Sequence, residues 1–565
     1  MRSSRSYFAS MMNTRNFPAY VSRRTLVLTL LLLTVFQLTL AERRERAVDS
    51  WRPTHYDVSL TLDDQLKQLT SARARISIKV IKGPLSIIDL DFGQLTVDSV
   101  DVAGEPVRFE QINSQLRVQL PRPAKKDDEI AVVVGYHGRP ADGLILAMDK
   151  AGRPSATGDN WPNRVHHWIP SLDHPSAKAT VNFAVTVPAR DVVVANGQFT
   201  GMRDNMNTTR TWTYNESRPI PPYCMIIAVG EYAQSQPPVK TVAPLAYYVP
   251  QTDKHLAVRG FSSAPDALRF FSETVAPFPY EKLAMIVGAT RFGGMENSSA
   301  IVFSNNLFSR SLEEQPLSAR FNIRRGLVEV TAHEIAHQWF GDSVAIKTWA
   351  DLWLSEGFAT YFAGLFVERY EGKEAFREYM KRAAQRYLTY EQTRSAPIYD
   401  EETEDLMKLL NPNNYEKGAW VLHMLRGLLG DQTFFKGIRA YYLAHQHGTA
   451  STEDLRISLE RASGINLKEF FARWVYANGH PRYEVSWSWR RIRGRGTLAI
   501  HVEQTHEGEP FLTPLPVEIG MKGGIRRATL KPDGRANRLF IHTKSKPVEV
   551  RIDPHETILK EIVVR

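Results

Sequence analysis

The spacing of apolar residues changes twice along the chain, and this change constrains the fold more than any other feature. From about residue 51 to residue 232, apolar and polar residues alternate with period two, which is typical of half-buried β-strands. From about residue 264 the period becomes that of a helix, and after residue 483 short alternating segments return. The chain is therefore predicted to be a multidomain α+β protein, with two β parts around a mainly helical one.

The composition agrees with several folded domains. The chain has 565 residues, of which 43% are hydrophobic and 23% charged, and these values exclude a disordered, collagen-like or coiled-coil protein. Its single cysteine, Cys224, lies in an apolar run of strand character, so no intrachain disulfide can form and a buried, inert thiol is expected. The domain boundaries are predicted at residues 48–242, 243–479 and 480–565.

The first 41 residues have the pattern of a secretory signal peptide. Arg23 and Arg24 precede an uncharged run at residues 25–41, which ends in the sequence Thr39-Leu40-Ala41. We therefore expect residues 1–41 to be removed and the protein to be exported, to a periplasm or to the extracellular space. The uncharged run is at the lower limit for spanning a bilayer, so a membrane anchor through residues 25–41 is the alternative.

The positive charge of the chain does not indicate a nucleic-acid partner. The formal net charge is +10, but five arginines lie before Ala41 with no acidic residue among them. The remaining excess is too diffuse to form a surface that binds nucleic acid. Contact with a membrane is expected only if the N-terminal segment stays attached.

The strongest signal in the chain is the run His333-Glu334-Ile335-Ala336-His337, which follows a helical pattern of apolar residues. Residues four apart lie on one face of a helix, one turn from each other, so both imidazoles can bind one cation. Glu356, in a second predicted helix, is the candidate third ligand, and a fourth position stays open. Two histidines and one glutamate around an open position suit Zn²⁺, with one ion per chain.

The residues near the two histidines have predicted roles. A zinc ion would supply Lewis-acid chemistry, while Glu334 would accept a proton from the attacking water and deliver it to the departing amine. Asp342 or Asp351 would either orient a ligand imidazole or cap a helix, and the sequence leaves both roles open.

Several motifs, in the expected order and spacing, resemble those of the gluzincin aminopeptidases of the aminopeptidase N type. They are Gly293-Gly294-Met295-Glu296-Asn297, the zinc motif with eighteen residues between His337 and Glu356, the run Tyr415-Glu416-Lys417-Gly418, and residues 165–175. The resemblance covers most of the chain from about residue 50. It implies an N-terminal β domain, a thermolysin-like, mainly helical catalytic domain and a small C-terminal β-sandwich.

Two further expectations accompany the resemblance. The chain stops after the predicted sandwich, whereas some relatives add a large helical domain. With no disulfide, and with a glycosylation sequon at Asn297 whose glycan would obstruct the site, the sequence favours a bacterial exported enzyme.

The resemblance also assigns roles to individual residues. Glu296 would hold the free α-ammonium group of a peptide, and residues 293–297 together would form a substrate-binding segment. Tyr415 would donate its hydroxyl to the tetrahedral oxyanion. The second amine anchor is usually a Gln or Glu of the first domain; Asp159 or Asn160 falls near that place, and Asp159 is our choice, although a simple turn explains the segment equally well.

The sequence therefore predicts a secreted zinc metallo-aminopeptidase that removes single N-terminal residues from peptides with a free N-terminus. Three alternatives stay open. A zinc endopeptidase would share the metal site without needing Glu296. An epoxide hydrolase of the leukotriene-processing kind would end in helices, where strands are expected here. A catalytically inactive peptide-binding scaffold would usually have lost one of the site residues, all of which are present.

Overall fold

The computed structural model describes residues 45–313, 325–492 and 495–565, so the predicted signal peptide and its alternative as an anchor lie outside the described residues. The N-terminal part consists of strands, as the alternating pattern predicts. These are β1 Trp51–Leu62, β2 Leu69–Val80, β3 Leu85–Asp91, β4 Thr96–Val102, β5 Glu105–Pro106, β6 Phe109–Ile112, β7 Gln115–Ala124, β8 Glu129–Gly138, β9 Leu144–Met148, β10 Pro154–Gly158, β11 Ala179–Pro188, β12 Val192–Ala195, β13 Gln198–Asp204, β14 Thr209–Ile220 and β15 Ile227–Gly230.

These strands form three sheets around one core. The largest has the order β13-β14-β11-β1-β2-β8-β4-β5, and the smaller ones have the orders β12-β15-β10-β9 and β3-β7-β6. Along β1 the alternating residues Tyr56, Val58 and Leu60 are buried. Because successive side chains of a strand point to opposite faces, this pattern places one face of the large sheet on the core.

The central part begins with a five-stranded sheet of order β16-β17-β18-β20-β19. Its strands are β16 Tyr232–Ser235, β17 Leu245–Pro250, β18 Leu283–Gly288, β19 Gly294–Met295 and β20 Ala300–Ser304. Strands β17, β18 and β20 are parallel, whereas β19 pairs antiparallel with β20 at the edge. The segment that carries Glu296 therefore follows directly from an edge strand.

Helices surround this sheet. They are α1 Ala257–Gly260, α2 Ala264–Thr274, α3 Asn305–Glu313, α4 Arg325–His337, α5 Trp353–Glu371, α6 Lys373–Glu391, α7 Gly418–Leu429, α8 Asp431–His445, α9 Thr452–Ser463 and α10 Lys468–Trp474, and the short strands β21 Ala345–Ile346 and β22 Thr449–Ala450 pair between them. Residues 353–367 of α5 are buried on every side. A helix that is apolar all round has to lie at the centre of its domain, and α5 packs there against α4, α6 and α7.

The C-terminal part consists of two small sheets, of orders β27-β24-β23-β29 and β26-β25-β28. Their strands are β23 Arg482–Ile492, β24 Arg495–Gln504, β25 Leu515–Met521, β26 Gly524–Leu530, β27 Ala536–Thr543, β28 Glu549–Ile552 and β29 Glu561–Val564. Buried residues of both sheets, such as Val485, Ile500 and Ile519, belong to one core with the helical part. The predicted α+β architecture of three parts is confirmed.

Among the described residues, no helix is both long and apolar enough to traverse a bilayer.

Candidate metal and substrate site

Two packed helices bring the predicted metal ligands together. His333 and His337 lie one turn apart at the end of α4, and α5 packs along α4 so that Glu356, in its first turn, faces them. The Nε2 atoms of the two histidines are 3.1 Å apart. Oε2 of Glu356 lies 3.2 Å from Nε2 of His333 and 3.3 Å from Nε2 of His337. The three side chains form a single cluster that can bind a metal ion.

The spacing of these donor atoms fits a tetrahedral zinc site. Zinc binds histidine nitrogen and carboxylate oxygen at about 2.0–2.2 Å, so neighbouring ligand atoms of a tetrahedron are roughly 3.3–3.5 Å apart. The observed separations of 3.1, 3.2 and 3.3 Å agree closely with this geometry. Three protein ligands leave the fourth position open, which distinguishes a catalytic site from a structural one.

The three ionisable groups around this cluster differ in their electrostatics. Burial opposes ionisation of Glu356, but the nearby His337 and the hydrogen bonds of both histidines outweigh it and lower the pKa of Glu356 to about 2. Burial raises the pKa of Glu334 well above its ordinary value, and it also raises the pKa of the Tyr415 hydroxyl. The site thus combines an ionised ligand, a carboxylate with increased proton affinity and a hydroxyl that keeps its proton.

The imidazole of His337 is oriented by atoms that the sequence did not suggest. Its Nδ1 lies 3.0 Å from the carbonyl oxygen of Phe340 and 3.1 Å from Oγ of Ser355. A hydrogen bond from the remote ring nitrogen fixes which nitrogen faces the metal. Ser355 directly precedes the ligand Glu356, so one turn of α5 supplies both a ligand and the support of another ligand.

Neither aspartate proposed from the sequence for this orienting role has it. Asp342 accepts hydrogen bonds from Sγ of Cys224 at 3.3 Å and from Nε2 of Gln338 at 2.9 Å. Asp351 accepts bonds of 2.8 Å from both the backbone N–H and the hydroxyl of Thr452, where α9 begins. The sequence left two roles open for these aspartates, and Asp351 has the second of them, support of the start of a helix. The predicted burial of Cys224 is confirmed.

Glu334 lies directly against the backbone of the edge strand β19. A Cβ atom added at Gly294 would come within 2.3 Å of Oε1 of Glu334 and within 2.6 Å of its Cγ. Any side chain at position 294 would therefore displace the carboxylate in its present conformation. The close approach of Glu334 to β19 therefore depends on the absence of a side chain at Gly294.

The segment after β19 is held against α4 by one side chain. The Nε2 group of Gln338 donates to the carbonyl oxygen of Glu296 at 2.8 Å, and its Oε1 accepts from the backbone N–H of Ser299 at 2.7 Å. Ser299 has a φ of 59°, a left-handed conformation that few non-glycine residues adopt. Gln338 directly follows His337, the second ligand histidine. Its side chain thus fixes the predicted amine-binding segment next to the candidate metal site.

The carboxylate of Glu296 is buried and incompletely satisfied. Its Oε1 has no hydrogen-bond partner among the described residues, and burial raises the pKa of the group to about 7. An unpartnered buried acceptor is costly unless a ligand supplies the missing donor. An ammonium group, with three donors, would satisfy it.

The other members of residues 293–297 do not all reach the site. Gly293, Gly294 and Met295 line the same cavity as Glu296. Asn297 is fully buried and is absent from the cavity lining, so the structure does not place its side chain with the others. The turn that follows the edge strand points Asn297 inwards, where its amide lies 3.5 Å from the carbonyl oxygen of Met295.

The structure distinguishes between the two candidates for the second amine anchor. The Nδ2 group of Asn160 donates to the carbonyl of Met225, and its Oδ1 accepts from Nε1 of Trp168, so both the nitrogen and the oxygen of its amide bind other parts of the protein. Asp159 is buried with Oδ2 3.4 Å from Nη2 of Arg164, and it does not line the cavity. Its Oδ1 has no partner among the described residues.

Asp159 is therefore not among the residues that line the cavity with Glu296, although its charge contributes to the raised pKa of Glu296. The role of Asp159 as a second anchor stays a prediction.

The cavity that contains these groups has a volume of about 520 Å³. Tyr415 lines it from the turn before α7, and its ring stacks on that of His333 with centroids 6.0 Å apart. Trp161 and Phe292 form an apolar wall near Met295, with an edge-to-face contact at 6.2 Å. Sequence reasoning missed this aromatic pair, because the two residues are far apart in the chain.

Comparison with known proteins assigns the chain to a family. The Peptidase M1 N-terminal domain matches residues 52–224, and the Peptidase family M1 domain matches residues 260–474. The second range contains all three candidate ligands, Glu334 and Tyr415.

Curated relatives carry related names. The chain is 26% identical to Tricorn protease-interacting factor F2 of Thermoplasma acidophilum over 77% of its length, covering 54% of that protein. It is 26% identical to Probable aminopeptidase 2 of Sulfurisphaera tokodaii over 82% of its length, covering 58%. Aminopeptidase N of Streptomyces lividans is 29% identical over 55% of this chain, covering 36% of that protein.

The chain thus spans a little over half the length of the first two of these relatives. The two domain matches together cover most of the described sequence, in the order that the motifs predicted. The chain belongs to peptidase family M1.

Proposed function

We propose that this protein is a zinc-dependent aminopeptidase, with one zinc ion per chain, that hydrolyses the N-terminal bond of peptides. One observation carries the proposal: the unsatisfied carboxylate of Glu296 lies in the same cavity as the three convergent ligand atoms of His333, His337 and Glu356. The aminopeptidase names of the relatives support it.

Glu296 would select the substrate end. A buried carboxylate binds an ammonium group far better than a neutral amide, because only the ammonium neutralises its charge and supplies the missing donor. Peptides with a blocked N-terminus would leave Oε1 of Glu296 unsatisfied and lose this binding energy. This geometry favours an exopeptidase over a zinc endopeptidase.

The catalytic steps would be divided between two residues. When bound, zinc would supply Lewis-acid chemistry at the scissile carbonyl. Glu334, which lines the same cavity as the candidate ligands, would accept the proton of the attacking water and deliver it to the nitrogen of the departing amine. Tyr415, whose hydroxyl stays protonated, would donate a hydrogen bond to the oxygen that becomes negative in the transition state.

The place of action is also proposed, from the sequence of the N-terminal segment alone. Residues 1–41 would direct export, and the enzyme would act in a periplasm or outside the cell. Determining the N-terminal residue of protein purified from its natural source tests this: a start at Glu42 supports export with cleavage, whereas an intact segment supports the anchor.

The proposed activity is tested with a panel of aminoacyl anilides and their N-acetylated counterparts, with and without a zinc chelator. We expect hydrolysis only of the free-amine compounds and loss of activity with the chelator. Equal cleavage of both series would establish an endopeptidase. A folded, zinc-loaded protein that cleaves none of them would favour an inactive scaffold or an epoxide hydrolase.

Glu296→Ala sharpens this test, because it removes the amine anchor and leaves the metal ligands in place. We expect kcat/KM for free-amine substrates to fall by about a hundredfold, the size of a charge-assisted hydrogen bond in a buried site. Unchanged preference for the free amine would remove Glu296 from this role.

A further inference from the structure

The cavity has a second end, opposite the amine-binding one. Gln338, which follows the last residue of α4, holds the segment of Glu296, whereas Glu329 lines the cavity from the beginning of the same helix. His337 lies eight positions after Glu329, so these two ends are about 12 Å apart along the helix. An extended peptide rises about 3.3–3.6 Å per residue, so three to four residues would span the cavity.

A guanidinium group marks the second end. Arg386, on α6, is the one lysine or arginine among the described residues that line the cavity. Its side chain is 70% exposed, and Nη1 lies 3.4 Å from Oε1 of Glu416, the neighbour of Tyr415. The guanidinium therefore lies beyond the oxyanion donor, where the leaving part of a peptide would extend.

Most of the donors of this guanidinium are available to a ligand. An arginine has five N–H donors, and Glu416 occupies one of them at 3.4 Å. The neighbouring acid Glu329 forms its ion pair with Arg382, at 2.6 Å, although the charge of Arg386 also acts on it. Each acid at this end of the cavity thus already has its own arginine, and a ligand carboxylate approaching Arg386 meets no unpaired acid among the described residues.

We propose that Arg386 binds a carboxylate on the leaving side of the substrate, so that the enzyme prefers short peptides with a negative charge there. The inference rests on the proposed aminopeptidase activity and names the substrate class of that site. The charge has two sources: the C-terminal carboxylate of a tripeptide or tetrapeptide, or the side chain of an aspartate or glutamate in the leaving part. Planar carboxylates match the fork of a guanidinium, which an ammonium does not reproduce.

The test compares three peptides that share the N-terminal residue preferred in the anilide panel, written X. These are X-Ala-Ala with a free C-terminus, its C-terminal amide, and the amide X-Ala-Asp-NH₂. We expect the free acid to be hydrolysed with a kcat/KM about tenfold above that of its amide, the size of one charge-assisted interaction at a partly exposed site. Recovery of the rate with X-Ala-Asp-NH₂ identifies the side chain as an equivalent source, and no recovery restricts the site to the C-terminus.

Arg386→Ala is the decisive variant, and Arg377→Ala is its matched control on the same helix, where Arg377 pairs with Glu374 outside the cavity lining. We expect Arg386→Ala to bring the acid-to-amide ratio to about one by slowing only the acid, Arg386→Lys to restore part of the ratio, and Arg377→Ala to keep it. A ratio near one in the unmodified enzyme, or an equal loss for acid and amide in Arg386→Ala, would overturn the proposal.

Failure of the proposed activity has a different signature. In that case zinc-loaded protein hydrolyses none of the three peptides, and equilibrium binding of X-Ala-Ala and its amide to Glu334→Gln then decides on Arg386 separately. With leucine as X, tighter binding of the acid that is lost in the double variant Glu334→Gln/Arg386→Ala supports the carboxylate site. Equal binding of both peptides contradicts it.

Discussion

Two closely spaced pairs of histidines in the chain have opposite uses in the structure. His333 and His337 lie one helical turn apart and direct their Nε2 atoms towards one carboxylate, at 3.2 and 3.3 Å. His166 and His167 are adjacent in a short 3₁₀ turn, and their rings lie against each other, tilted by 36°, with centroids 4.1 Å apart. Adjacent residues cannot direct both rings to one point as residues on one helix face can, so the first pair forms a candidate metal site and the second a packed element of the first domain.

The carboxylates beside the two pairs of histidines also differ in the contacts that they make. Glu356 comes from a second helix and meets both histidines of its pair. Asp173 meets one histidine twice, because its Oδ2 accepts from the backbone N–H of His166 at 3.1 Å and lies 2.7 Å from Nδ1. A carboxylate used in this way closes a turn. Residue type alone therefore does not identify a metal site; convergence of donor atoms from separate elements does.

The largest difference between the pairs should appear on replacing one histidine of each. We expect His337→Ala to abolish both zinc binding and hydrolysis, because two ligands do not retain the ion, whereas His166→Ala should still bind one zinc per chain. Elemental analysis after dialysis, together with anilide hydrolysis, measures both. Retention of a full equivalent of zinc by His337→Ala would show that the ion lies elsewhere.

Replacing Glu334, the acid between His333 and His337, tests catalysis separately from metal binding. Glu334→Gln keeps every ligand and removes the proton acceptor, so we expect kcat to fall by roughly 10²–10⁴-fold with zinc content unchanged. The second pair contains no such residue between its histidines. Activity near that of the unmodified enzyme in Glu334→Gln would assign the proton transfer to another group.

Strand β19 packs closely against Glu334, which lies between His333 and His337. Disturbing this packing should reduce activity by a smaller factor. Gly294→Ala forces the Glu334 carboxylate to move, because the new Cβ would lie 2.3 Å from Oε1. We expect a loss of about tenfold in kcat from the misplaced base, with little change in the free energy of unfolding, since the end of a flexible side chain can shift. Gly293→Ala, whose Cβ would meet only Leu307 at 3.8 Å, should cost less. An equal loss in both variants would attribute the effect to the segment rather than to Glu334.

The smallest effect on activity is expected at the second pair. His166→Ala removes the buried contact with Asp173, so the free energy of unfolding should fall by about 1–3 kcal/mol, as when a buried carboxylate loses a partner. Because His166 lies outside the cavity, kcat/KM should stay within about threefold. Denaturant unfolding and steady-state kinetics provide the two values, and a large loss of kcat/KM without destabilisation would contradict a structural role.

Local patterns made much of the fold and of the metal cluster predictable. The helical spacing that ends in His333 and His337 fixes two ligands on one face, and the apolar sequence around Glu356 identifies a buried helix that can only pack beside them. Ser451 and Asp454 form a capping box at the start of α9, and this local pattern of residue types is visible in the sequence.

Contacts between distant segments could not be predicted in the same way. Asp342 and Asp351 were equivalent candidates from sequence, and only the packing of Cys224 and Thr452 against them determines their roles. Asp159 pairs with Arg164 and does not line the cavity, and no local pattern encodes that pairing. Arg386 and Glu329 belong to different helices, so their place at one end of the cavity follows from how α4 and α6 lie around α5.

The most direct test of the account is a zinc titration of metal-free protein, with hydrolysis of a free-amine anilide and of its N-acetylated form followed together. The account predicts that hydrolysis of the free-amine compound rises to a maximum at one zinc per chain, while the acetylated compound stays uncleaved at every zinc concentration. Full activity without added metal, or equal hydrolysis of both compounds, would contradict a zinc centre that acts beside a selective amine anchor.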